Sequence, residues 1–176
     1  MDFYSYELSI EDGDSYRYVF YTELQLTYIV ALYPSEQYNP KVADFKYLYT
    51  KSKALLLVCA DDPTPKGNKG GKFGCTVCTI IHDFLKNEQP DFSLIFHCDD
   101  EDGKHAARSR LFDQWKKNHT EEFDIEMKCI EIDLTDENGG VKKTYLGIIN
   151  NSDLEYKDEL YEEFKELSTQ LTASGK

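Results

Sequence analysis

The stretch "LIFHCDDEDGKHAARSRLFDQW", residues 94 to 115, brings His97, Asp99, Asp100, Asp102, His105 and Arg108 close together along the chain. Carboxylates at the carboxyl end of an apolar strand, with imidazoles beside them, are the residue types of a metal or acid–base site. A guanidinium adds a fork that fits phosphate oxygens. On this reading Asp99, Asp102, His105 and Arg108 are the catalytic candidates of a small metal-assisted enzyme acting on a phosphate-containing substrate. The same residues also make a complete helix start. If a helix begins near Gly103, then Ala107, Leu111, Phe112 and Trp115 cover one arc, and Arg108 falls inside it. Asp102 is placed as the N-cap, and Asp99 or Asp100 can pair with Arg108, whose charge must be met if that face is buried. Capping explains an acidic strand-to-helix turn without a ligand, so the structural reading is preferred.

Two further motifs invite chemistry. Cys75 and Cys78 form a CxxC near a helix start, with His82 on the same face. They fall beside Ile81 and Leu85, opposite Thr76, Thr79, Asp83 and Lys86, and no second CxxC or HxxxH supplies further zinc ligands. Buried thiols are expected. "PKGNKGGKFG" looks like a phosphate loop, but Lys66 stands where the leading glycine belongs and Phe73 where Ser or Thr is needed. A mobile, solvated 66–72 connector is the reading it supports. No GxSxG or HExxH signature occurs, and no metal or cofactor is expected.

The pattern "CD..D....R.RLF..W", met by Cys98, Asp99, Asp102, Arg108, Arg110, Leu111, Phe112 and Trp115, resembles a family of small proteins without an assigned activity, mostly from Bacteroidetes. The aromatic strands of the first thirty residues share a weaker likeness. The resemblance implies a bacterial origin and an α+β domain, and transfers no activity.

These residues must be held by a frame. Tyr4, Tyr6, Leu8 and Ile10, then Tyr16, Tyr18 and Phe20, then Leu26, Tyr28, Val30 and Leu32 alternate with a period of two, which predicts three strands; "EDGD" turns the first pair and Pro34 ends the third. "KALLLVCA" is continuously apolar and predicts a strand buried on both faces. A helix is expected over about 74–87, a strand at "FSLIFHC", a helix from about 103, and a hairpin from "FDIEMKCIEIDL" and "KKTYLGII" around "TDENGG". Leu160, Phe164, Leu167 and Leu171 recur at helical spacing after Ser152, a candidate N-cap. The expectation is one α+β domain over 1–171 with a frayed 172–176 tail: a mainly antiparallel sheet, made of an N-terminal meander and a C-terminal hairpin, with about three helices packed on it.

Charge narrows the function. Thirty-three acids against twenty Lys and Arg give a net charge of −13, which repels nucleic acid and anionic membranes. Five cysteines in or beside apolar segments, an odd number, fit a reducing compartment, and with no apolar run near the length of a membrane span or leader the expectation is a soluble cytoplasmic protein. The favoured reading is a small non-enzymatic binding protein, an accessory or immunity-like partner of a basic protein. Its contact candidates are Glu159, Glu162, Glu163 and Glu166 on the outer face of the last helix. If the 97–108 junction is structural, Arg108→Ala costs roughly 3–5 kcal/mol and Arg110→Ala much less. Urea melts of the two variants beside the parent check this; equal midpoints would point to a solvent-facing site instead.

Overall fold

The computed structural model describes residues 2–61, 71–98, 124–135 and 138–174, together with the helical positions Gln114 and Lys117. Four consecutive strands, β1 (Tyr6–Glu11), β2 (Ser15–Tyr21), β3 (Thr27–Pro34) and β4 (Ser52–Cys59), form an antiparallel meander. Helix α1 (Ser35–Tyr38), a 3-10 turn (Pro40–Asp44) and helix α2 (Lys46–Lys51) fill the connection before β4. Helix α3 (Gly71–Asp83) precedes β5 (Ser93–Cys98), which lies parallel to β4. Then β6 (Ile125–Thr135) and β7 (Val141–Asn151) make a long hairpin, and α4 (Lys157–Ser174) ends the chain. The seven strands form one sheet in the order β1-β2-β3-β4-β5-β7-β6, with β7 inserted antiparallel against β5. The structure is thus α+β with a mostly antiparallel sheet, as the sequence pattern predicts.

Local chemistry sets the turns. Asp12 and Gly13 both take positive φ, 52° and 73°, and the Asp14 N–H bonds the Glu11 carbonyl at 3.3 Å. Two left-handed central residues match the twist of the flanking strands, which is why "EDGD" closes the first hairpin. Gly139 does the same work in the last hairpin at φ 80°. Lys53, only 3% exposed at the start of β4, carries its charge into the sheet and is met there by Asp14 from the first turn.

The sheet has two apolar faces, and different helices cover them. On one face Tyr18, Phe20, Val30, Leu94, Phe96 and Ile149 pack against Val77, Ile80, Ile81 and Phe84 of α3 and its continuation. On the other face Ile95, Leu146 and Ile148 pack against Leu160, Phe164 and Leu167 of α4, with Val42 and Leu48 closing the end. Each fully buried Leu or Phe of this kind contributes about 1.5–3 kcal/mol relative to its exposed state. Strands β5 and β7 are therefore covered on both sides, which explains their unbroken apolar runs.

The structure corrects several expectations. "KALLLVCA" is buried on both faces only through Leu55; Leu56 and Val58 are 46% and 38% exposed, because α1 and α2 reach only the start of β4. Leu8 and Ile10 of β1 are exposed at the sheet edge, and Tyr4 precedes the strand, its N–H bonding the Thr76 hydroxyl at 2.9 Å. Thr76 is consequently buried rather than on a polar side of α3. Gly71 and Lys72 begin α3 instead of ending a loop, and Lys72 pairs with Asp2 and Glu23 at 3.4 and 3.6 Å; residues 62–70, which hold the rest of that connector, lie outside the described residues. The helix expected over 74–87 starts earlier and widens into a π-helical turn at Phe84–Glu88. Ser152 is not an N-cap: residues 152–156 turn first, Leu154 is buried, and the helix starts at Lys157 and runs to Ser174.

Gly147 on β7 sits opposite Phe96 on β5, and the Phe96 ring lies over it where a β-carbon would be. Phe96 is only 3% exposed and has little room to move. Gly147→Ala is expected to destabilise by about 1–3 kcal/mol through overpacking. A urea melt in which the variant keeps the parent midpoint would show that the ring relaxes freely.

Candidate binding cleft on the last helix

Helix α4 places its leucines and Phe164 on the sheet, so Asp158, Glu159, Glu162 and Glu166 are driven to the outside, where all four are exposed. Asp158 and Glu159 occupy the first turn, where the helix dipole favours negative charge. Between this helix, α2 and β6 lies a shallow cleft of about 570 Å³ lined by Asp158, Glu159, Glu162, Glu163, Tyr47, Tyr161 and Lys128.

Glu163 behaves differently from its neighbours. Its carboxylate accepts the backbone N–H groups of Lys46, Tyr47 and Leu48 at 3.1, 2.8 and 2.9 Å. These are the first donors of α2, whose preceding residue is Phe45 and whose first turn has no acid. A helix start needs acceptors for such donors. The acid that supplies them comes from 115 residues further along. Glu163 is therefore the clamp joining α4 to α2, and it holds Tyr47 at the rim of the cleft.

The tyrosines are fixed from below. The Tyr161 hydroxyl lies 2.8 Å from the Asn150 side-chain oxygen and 3.1 Å from Glu126, the two acceptors sharing its one proton, while the Lys128 ammonium lies 3.4 Å from the centre of its ring. Burial, with Glu126 beside it, pushes the Tyr161 hydroxyl up to about 12, so it stays neutral and hydrogen-bonding at physiological pH. The Lys157 ammonium, 2.9 Å from Glu126, is the main reason that carboxyl is held below the usual range, and Tyr161 adds to it. Tyr47 stacks on Tyr156 with ring centres 4.7 Å apart. The cleft thus offers carboxylates and fixed aromatic rings to a cation, and Lys128 over Tyr161 and Lys46, 4.6 Å from the centre of the Tyr47 ring, already use the rings in this way.

The sequence candidates are distributed unevenly. Glu159, Glu162, Glu163 and Glu166 lie on one stretch of α4, with Glu162 additionally 3.4 Å from Lys165. Asp99, Asp102, His105 and Arg108 lie outside the described residues. His97 and Cys98, which lead into that stretch, end β5; the His97 Nε2 lies 2.9 Å from the Thr144 hydroxyl, and Cys98 is buried. Of the thiols, Cys78 and Cys98 are buried, Cys59 and Cys75 half-buried and Cys129 exposed, so only two of the five match the expected burial. Burial, reinforced by Cys75, pushes the Cys78 thiol up to about 12 and makes it a poor nucleophile. Among the described residues no group of three or more His, Cys, Asp or Glu is arranged to hold a metal ion. Sequence reasoning missed Tyr47, Lys128 and Tyr161, because nothing in the spacing shows that α2 and β6 meet α4.

The model of a family of unknown function (DUF6169) matches residues 70–166, over half of the chain. The chain belongs to this family. The DUF6169 region spans α3, β5, the "CDDEDGKHAARSR" stretch, the β6–β7 hairpin and α4 through Glu166, and leaves out the β1–β4 meander. All four glutamate candidates fall inside it. No curated protein and no solved structure matches the chain.

Loss of the clamp is measurable. Glu163→Ala strands the first donors of α2 and is expected to cost about 1–3 kcal/mol, whereas Glu163→Gln keeps an acceptor oxygen and costs less. Urea denaturation orders the two variants; equal and negligible losses would contradict the clamp.

Proposed function

We propose that this chain is a non-enzymatic binding protein, an accessory or immunity-like partner that presents the acidic face of α4 to a basic protein. The observation that carries this reading is the cleft in which Asp158, Glu159 and Glu162 stand beside the rings of Tyr47 and Tyr161. A Lys or Arg side chain meets both needs of that surface: its head pairs with carboxylates and its stem or plane packs on an aromatic ring. The net charge of −13 gives such a partner a long-range pull. The same charge disfavours nucleic acid and anionic membrane as partners, and no helix of the described residues is long and apolar enough to cross a membrane. A reducing, cytoplasmic setting fits an odd number of cysteines, five in all, lying in or beside apolar segments.

The partner is captured from the native cell with the intact chain and then purified. Its association rate with the parent chain is expected to fall as salt is raised, since exposed charge is screened beyond about 10 Å at 0.1 M salt. Reversing Glu159, Glu162 and Glu166 to lysine, with Glu163 left in place to keep the clamp, is expected to slow association by roughly tenfold or more. An association rate unchanged by both salt and reversal removes α4 from the interface.

A further inference from the structure

Strand β1 is the first strand of the sheet and among the described residues pairs only with β2, so its outer side carries backbone donors and acceptors that no described strand takes up. Every residue from Glu7 to Glu11 is exposed. Proteins ordinarily blunt such an edge with charged side chains, lysine above all, with proline or with a bulge. Here "YELSIE" has no proline or lysine, its charges are the acids Glu7 and Glu11, which repel another acidic strand and not a basic one, and its register with β2 runs without a break from Tyr6 opposite Phe20 to Glu11 opposite Ser15. The strand also sorts its side chains: Leu8 and Ile10, 40% and 52% exposed, stand on the α3 face, while Glu7, Ser9 and Glu11 stand on the other.

We propose that β1 is a docking edge that accepts one extended segment of a basic protein, in which apolar residues alternate with Lys or Arg. Backbone hydrogen bonds added to a sheet edge supply affinity and the alternating side chains supply specificity. An added strand must place its apolar residues beside Leu8 and Ile10 and its remaining residues beside Glu7 and Glu11. Glu11 is partly balanced by Arg17 at 3.6 Å, whereas Glu7 makes no ion pair among the described residues. Positive side chains in the added strand therefore complete the row. A second copy of this chain fits the edge less well. Antiparallel pairing centred on Ser9 sets Glu7 opposite Glu11 twice, pairing centred on Leu8 leaves the two diagonal to each other, and either brings together two chains of net charge −13. The edge lies outside the DUF6169 region and does not depend on the acidic face of α4.

The test uses the full chain, isotopically labelled, titrated with a short peptide alternating valine and lysine and with a control alternating valine and glutamate. The lysine peptide is expected to shift the Tyr6–Glu11 amides and slow their hydrogen exchange, with affinity falling at higher salt, and the glutamate peptide to leave them unchanged. The double variant Glu7→Lys with Glu11→Lys, both sites being exposed, is expected to keep the parent melting behaviour and to weaken the lysine peptide at least tenfold. Shifts confined to α4, equal binding of both peptides, or a parent chain that light scattering finds dimeric through β1 would each overturn the proposal.

Discussion

The fold depends on covering both faces of β5 and β7. Leu94 and Phe96 point to one side of β5 and Ile95 to the other, and Ile149 and Ile148 do the same on β7, all at 3% exposure or less. An amphipathic helix on one face is not enough for such strands, so α3 and α4 must lie on opposite sides of the sheet. Once α4 is committed to the β5–β7–β6 end, no helix among the described residues covers Leu56 and Val58 on β4 in the same way, and β1 stands at the edge of the described sheet. The exposed surfaces of the molecule thus follow from where the two long helices are needed.

The acidic run on α4 shows how position separates like residues. Glu159, Glu162, Glu163 and Glu166 share one side-chain chemistry and one helix, yet only Glu163 faces the start of α2. There three backbone donors lack local acceptors, and its charge is spent on structure. The others remain available to solvent or a partner. Tyr161 and Tyr47 are drawn to the same place for structural reasons, one held by Asn150 and Glu126 and the other by its stacking on Tyr156, and the cleft is the by-product of those ties.

Much of the frame was legible because period-two alternation and turn residues act locally: "EDGD", Pro34 and the "NGG" turn mark hairpin boundaries by backbone geometry alone. The errors came where tertiary contact overrides a local signal. Ser152 has the chemistry of an N-cap, but Leu154 must be buried first, and the helix waits until Lys157. "KALLLVCA" is apolar throughout, but burial of its second half depends on what lies above the sheet. Thr76 is polar, yet it is buried because it serves Tyr4. The clamp by Glu163 had no sequence signal, since the cap and the helix it caps are more than a hundred residues apart. Asp99, Asp102, His105 and Arg108, conspicuous in the sequence, lie outside the described residues, so the proposed function rests on the net charge and on the cleft that α4 forms with Tyr47 of α2.

Whether those exposed carboxylates meet a basic partner can be read directly by zero-length cross-linking of carboxyl groups to lysine amines in a complex isolated from the native cell, followed by mass mapping. The account predicts a stoichiometric basic partner joined through Glu159, Glu162 or Glu166, with Glu163 unmodified because its carboxylate is occupied by α2. A partner joined only through other surfaces, or a chain recovered without any stoichiometric partner, would contradict it.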